Sequence, residues 1–258
     1  MGNEVFWSGS LPIAIAHRGG DGAGKDKQNT LEAYQAAWEL GYRYAEADIV
    51  LAASGELVVV HGSHNWLHAG FGRGITVRVL QMMTLDQIRY LIKPGGAQVP
   101  LLEDVLTSFK DMRFVLDIKT PEVTELLIKK LKKYKAAQRV CISGYDYGLA
   151  LKFREASVPD NITIGLTVGR GIRLQNINRF MLKSGRLKGV DAIFLHHSLV
   201  SPPMVGLVHR RGFKAVVWTA NSRIAINNAI RSGADGIISD RVELLKEILE
   251  LRTPRTYN

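Results

Sequence analysis

Short apolar runs rich in β-branched residues alternate along this chain with longer stretches whose apolar positions recur every three to four residues. This is the pattern of parallel strands joined by helices. The runs predict strands near 13–17, 44–50, 113–118, 139–143, 162–168, 190–195, 214–219 and 236–239. The helical period predicts helices near 30–41, 101–110, 121–135, 146–156, 175–184, 202–211, 222–232 and 241–251, with Asn29-Thr30 and Thr120-Pro121 as starts for two of them. A ninth apolar run, Leu57-Val58-Val59-Val60-His61, follows the second strand after only a Ser54-Gly55 turn. Parallel neighbours need a crossover of a dozen or more residues, so this run must return antiparallel as a hairpin. Setting it aside leaves eight strand–helix units, the count that closes a (β/α)8 barrel. The expected class is therefore α/β, a (β/α)8 barrel with a β-hairpin insertion after the second strand. An open doubly wound sheet is the alternative, but no Gly-x-Gly-x-x-Gly follows a strand.

Residues 62–100 form the largest departure from the repeat. They contain Gly70-Phe71-Gly72-Arg73-Gly74 and a predicted short helix from Leu85 to Ile92. The glycine cluster is not followed by Lys-Ser or Lys-Thr, so it reads as a loop rather than a phosphate cradle. Asp21 to Lys27 is a second Gly- and Lys-rich loop, after the first strand. In a barrel the stretches at 21–27 and 62–80 lie over the catalytic face, where they would form a lid.

At 258 residues and 46% hydrophobic content the chain can bury a large core, and the evenness of the repeat points to one domain over 1–258. Lys and Arg outnumber Asp and Glu by 34 to 24, a net charge of +10 that favours anionic partners. The basic residues are scattered apart from Lys129-Lys130-Leu131-Lys132-Lys133, without aromatic interleaving or zinc-finger spacing, so nucleic acid is not the expected partner. The lone Cys141 lies in an apolar segment, where it reads as a small buried side chain. No charged region followed by a long apolar stretch opens the chain, and Leu11 to Ala16 is too short for a signal core. The expectation is a cytoplasmic protein without a transmembrane segment.

Polar residues that stand at the ends of the apolar runs carry the candidate chemistry. Strand positions i and i+2 point the same way, so Glu46 and Asp48 converge on one face, as do Asp117 and Lys119. Glu46, Asp48 and Asp117 together suit a hard divalent cation, Mg²⁺ or Ca²⁺. The alternative is a buried ion-pair network around Lys119, against which three acids set one lysine and one arginine, a costly excess of negative charge. Relief of that repulsion predicts that neutralising any one of the three acids leaves the cation-free fold as stable or more so. His17 ends the first strand and His61 ends the return arm of the hairpin; as a pair they are candidates for proton transfer near neutral pH. Arg18 can present a planar fork to phosphate or pair with a neighbouring acid. Trp218 closes Ala215-Val216-Val217 and reads either as an apolar wall for the alcohol part of a substrate or as core. His64, His68, His196, His197 and His209 have no comparable setting.

These residues resemble the glycerophosphodiester phosphodiesterase family. The resemblance runs in order through Ile15-Ala16-His17-Arg18-Gly19, Gln28-Asn29-Thr30, Glu46-Ala47-Asp48, His61, Val99-Pro100-Leu101-Leu102-Glu103-Asp104, Asp117-Ile118-Lys119, Val217-Trp218-Thr219-Ala220-Asn221 and Ala234-Asp235-Gly236-Ile237-Ile238-Ser239-Asp240. It implies a TIM barrel, divalent-metal dependence, and hydrolysis of glycerophosphodiesters to sn-glycerol 3-phosphate and an alcohol. It further implies His17 and His61 as the acid–base pair, Glu46, Asp48 and Asp117 as metal ligands, and a small-molecule phosphodiester or lysophospholipid as substrate, with no more than weak contact to a membrane surface. Three positions differ from the usual pattern: Gln28 for Glu, which removes a charge from the neighbourhood of the metal; Gly62 for Asp; and Asp117 for Glu. The last two are similar to the sphingomyelinase D toxins, which release a cyclic phosphate. Gly62 and Asp117 motivate one alternative, a phospholipase D-like enzyme releasing cyclic phosphate from a lysophospholipid, and Gln28 and Gly62 motivate another, an inactive phosphate-ligand-binding barrel.

Overall fold

The computed structural model describes residues 6–62, 75–157, 160–169 and 187–251. All nine predicted strands are present: β1 (Ile13–Ala16), β2 (Tyr44–Leu51), β3 (Leu57–Val59), β4 (Arg113–Ile118), β5 (Val140–Ser143), β6 (Thr163–Val168), β7 (Ala192–His196), β8 (Lys214–Trp218) and β9 (Gly236–Ser239). Eight of them, all but β3, pair in parallel in the order β1-β9-β8-β7-β6-β5-β4-β2. The pairing of Ala16 with Ala45 then joins β1 to β2 and closes the (β/α)8 barrel.

The hairpin has a geometric cause. β2 is eight residues long and β1 only four, so the edge of β2 that meets β1 at Ala45 runs on beyond it. There Ile49, Val50 and Leu51 pair with Val59, Val58 and Leu57 of antiparallel β3. The returning chain stays with β2 past the end of β3: the Val60 amide donates to the Asp48 carbonyl at 3.1 Å, which delivers His61 beside the Asp48 side chain.

The surrounding helices are α1 (Leu31–Glu39), α2 (Val77–Gln81), α3 (Leu85–Leu91), α4 (Leu102–Ser108), α5 (Thr124–Lys133), α6 (Tyr147–Ala156), α7 (Pro202–Arg210), α8 (Arg223–Arg231) and α9 (Val242–Glu250). Thr30 caps α1 by accepting from the Ala33 amide, as the Asn29-Thr30 pair predicts. The sequence does not predict α2, which lies within the stretch expected to form a loop. Five residues are too few for the helical period to show, although the Thr76 cap, accepting from the Val79 amide, marks its start. The helix predicted near 175–184 and residues 63–74 of the predicted lid lie outside the described residues.

Apolar side chains between the strands and the helices form the larger core, with Phe114, Phe153, Leu102 and Val217 among them. A second cluster fills the barrel lumen: Ile15, Val115, Cys141, Phe194, Val216 and Ile238 stack above Tyr44, Phe6 and Trp7. Cys141 is buried there, as expected. On β4 the alternation of period two sets Val115 of this cluster opposite Glu46 and two residues before Asp117 on the same lumen face. At the other end of the barrel His209 acquires a structural setting: its Nε2 lies 2.7 Å from buried Asp235, which also pairs with Lys214 and accepts from the Ala215 amide. No helix among the described residues is long and apolar enough to cross a membrane.

Candidate active site

β2 and β4 are neighbours in register, with Asp48 opposite Asp117, so the lumen-facing alternation of each strand delivers its acids to one spot. Oxygens of Glu46, Asp48 and Asp117 lie within 4.8 Å of one another. Glu46 and Asp48 are buried. Asp48 is the hub: Arg18 Nε lies 2.7 Å from its Oδ2, Lys119 Nζ 2.7 Å from its Oδ1, and His61 Nδ1 3.2 Å from Oδ2, while Asn29 Nδ2 donates to Oδ2 at 3.0 Å. Lys119 also pairs with Asp117. The ion-pair network left open by the sequence is thus present, and it includes Arg18.

Burial alone would raise both β2 carboxyls, but their surroundings separate them. For Asp48 the burial penalty is outweighed by the Arg18 and Lys119 cations, which hold it well below the usual carboxylate range. For Glu46 burial comes first and repulsion from Asp48 adds to it, so its carboxyl is pushed well above its ordinary value despite Arg18. Two cations do not neutralise three acids. The residues fit a divalent cation on a second count. Asp117 Oδ1 is buried and accepts no hydrogen bond among the described residues. A buried carboxylate oxygen in that state is costly, and it is the hard ligand that Mg²⁺ or Ca²⁺ takes.

Each histidine is anchored through Nδ1. His17 Nδ1 lies 2.7 Å from Asp240 Oδ1, leaving Nε2 3.7 Å from Glu46 Oε2. His61 Nδ1 faces Asp48 as described. Burial, and then the Arg18 charge, lower the His17 pKa, and Asp240 opposes them only in part. Asp240 is held below the ordinary carboxylate range: burial opposes this, but His17, Asn221 and Gln28 all bond it. Arg18, between the two sites, adopts φ +55, a left-handed conformation that costs a residue with a side chain on the order of 1 kcal/mol. Its amide donates to Glu46 Oε2 and its carbonyl accepts from the Asn29 amide, so its backbone is held from both sides.

Both histidines, Arg18, Glu46, Asp117, Lys119 and Trp218 line one cavity of about 300 Å³. Val115, Phe194 and Ile238 from the apolar lumen layer also line it. Trp218 stands edge-on to Tyr145 and to His196, with ring centroids 6.1 and 5.3 Å away, and its Nε1 donates to the Phe194 carbonyl. It therefore belongs to the cavity wall while also packing on the lumen core.

The glycerophosphoryl diester phosphodiesterase family matches residues 17–244. The chain belongs to that family. It is 28% identical over 250 residues to a probable glycerophosphodiester phosphodiesterase 2 of Mycobacterium tuberculosis, covering 93% of this chain and 91% of the relative. Among solved structures, a putative glycerophosphoryl diester phosphodiesterase from Silicibacter pomeroyi superposes with a TM-score of 0.78 at 20% identity, covering 96% of this chain and 97% of that one. A phosphodiesterase of Oleispira antarctica in complex with the product sn-glycerol-3-phosphate gives 0.71 at 19% identity, covering 97% and 100%.

Within the family frame, two of the sequence differences acquire a physical reading. Gln28 donates from Nε2 to Asp240 Oδ1 at 2.5 Å, so the missing charge falls on the His17–Asp240 pair rather than on the three-acid cluster. At Gly62 a Cβ would sit 2.7 Å from Val77 Cγ2 and 2.9 Å from Val77 Cα, so the start of α2 excludes any side chain there. Asp48, not a neighbour at 62, is the carboxylate that faces His61. Sequence reasoning gave no part in the site chemistry to Asp240, Asn29 or Tyr145, although the first two lie in fragments that carry the family resemblance. Asp240 carried the same signal as His17, a polar residue directly after a strand, but its partner is 223 positions away.

Proposed function

We propose that this chain hydrolyses glycerophosphodiesters to sn-glycerol 3-phosphate and an alcohol, using His17 and His61 as acid and base beside a divalent cation held by Glu46, Asp48 and Asp117. The observation that carries the reading is the single cavity lined by two imidazoles, each with Nδ1 on a carboxylate, next to a three-acid cluster in which Asp117 Oδ1 is buried without a partner among the described residues. Anchoring Nδ1 fixes the tautomer and leaves each Nε2 for proton transfer.

One imidazole takes the proton of the substrate hydroxyl next to the phosphodiester, and the freed oxygen attacks phosphorus. The other protonates the departing alcohol. The imidazoles then exchange roles as water opens the cyclic phosphate. Arg18 and Lys119 offset charge growing on the phosphoryl oxygens, and Trp218 gives the bound substrate an apolar wall. A bound cation would supply Lewis-acid polarisation of a phosphoryl oxygen.

Release of the cyclic phosphate as final product is the second reading. Gly62 motivated it, but the steric demand of Val77 explains that glycine without reference to product. An inactive barrel is disfavoured by the intact histidine pair. The test is kinetic: His17→Ala and His61→Ala each lower kcat on glycerophosphocholine by about two orders of magnitude or more, the low end of acid–base contributions. Unchanged kcat in both variants contradicts the two-histidine scheme.

A further inference from the structure

A second cavity, of about 310 Å³, adjoins the first and shares Lys119 and Tyr145 with it. It runs between the loop after β4 and the start of α6. Its buried lining is apolar, from Ile118 and Leu149, while Asp146, Gly148 and Lys152 stand at its exposed edge. A phosphodiester has two arms, and one must leave the reacting centre toward solvent. This groove leads from Lys119, at the carboxylate cluster, out over the barrel rim.

The charges along it are unequal. Lys119 is shared between Asp48 and Asp117. Asp146 caps α6, its Oδ1 accepting from the Leu149 amide at 2.8 Å, so its charge faces the positive end of that helix. Lys152 lines the exposed edge of the groove without a hydrogen bond or ion pair among the described residues, and its charge reaches the Glu122 carboxylate.

We propose that this groove is the subsite for the leaving alcohol and that it selects alcohols bearing an anionic substituent, a carboxylate or a second phosphate, which Lys152 pairs with at the rim. The inference rests on the phosphodiesterase reading and adds to it a substrate class. It also gives Tyr145, at the junction of the two cavities, the place of a wall between the phosphate and the alcohol.

Glycerophosphoserine and glycerophosphoethanolamine differ by one carboxylate and make a matched pair of probes. Wild-type kcat/KM is expected to favour the serine ester by about fivefold, equivalent to ~1 kcal/mol. Lys152→Glu removes or reverses that preference. A parallel comparison of glycerophosphoglycerol with its terminal phosphate ester shows whether phosphate or carboxylate is preferred. Gly148→Leu places a side chain in the groove, because a Cβ there meets only Asp146 Oδ1, at 3.1 Å. It is expected to lower kcat/KM for the serine ester more than for glycerophosphomethanol, whose alcohol is too short to enter. A serine-to-ethanolamine ratio equal in wild type and Lys152→Glu overturns the charge selection. Equal losses on all esters in Gly148→Leu overturn the subsite. Absence of wild-type turnover on every ester overturns the phosphodiesterase reading itself, and this one with it.

Discussion

Glu46 and Asp48 are two residues apart on one strand face, yet the fold treats them oppositely. Asp48 is paired with buried cations, whereas Glu46 is buried against a like charge. The expectation that neutralising any of the three acids is harmless to the fold therefore fails for Asp48, because Asp48→Asn leaves Arg18 and Lys119 short of a partner. We expect it to lower stability by about 3 kcal/mol, the scale of a broken buried pair. Glu46→Gln is expected to leave cation-free stability at or above wild type. The carboxyl of Glu46 titrates higher in the fold than its ordinary 4.5, so stability present below pH 4.5 is lost as pH rises toward the folded value. Urea unfolding in EDTA across pH separates the cases, since the loss on raising pH is smaller in Glu46→Gln than in wild type. Asp240 is a positioning residue for His17. Asp240→Asn removes an interaction that raises the His17 pKa, so the limb of kcat/KM against pH that His17 sets moves to lower pH as kcat falls. A fall in kcat with neither limb moved would mean that Asp240 only supports the fold.

The hairpin is the element that assembles the site. β2 outruns β1, β3 takes the spare edge, and His61 is carried back to Asp48. That much was legible, because a Ser54-Gly55 turn between two apolar runs admits only an antiparallel return. The short α2 was not, and with it the reason for Gly62. Restoring the usual aspartate, Gly62→Asp, should not improve turnover. It forces α2 away from the hairpin and costs about 1–3 kcal/mol, the usual range for overpacking. Differential scanning calorimetry together with kcat on glycerophosphocholine checks this: a more active variant of unchanged stability would show that position 62 was chosen for chemistry.

For the whole chain, counting strand–helix units sufficed to foresee a closed barrel, since eight parallel strands with covering helices leave one economical architecture. Counting could not foresee which strand ends meet across the closure. β9 returns beside β1, and this sets Asp240 against His17. The three acids were legible because β2 and β4 alternate with period two, whereas the split of Glu46 from Asp48 depended on where Arg18 and Lys119 came to rest. Metal-assisted, two-step hydrolysis in one cavity is the central claim, and time-resolved ³¹P NMR of glycerophosphocholine turnover tests it directly. With Mg²⁺ or Ca²⁺ present, linear sn-glycerol 3-phosphate is expected as the sole phosphorus end product, with turnover stopped by EDTA and restored by the cation. A cyclic phosphate persisting at the end of the reaction, or turnover undiminished in EDTA, would contradict the account.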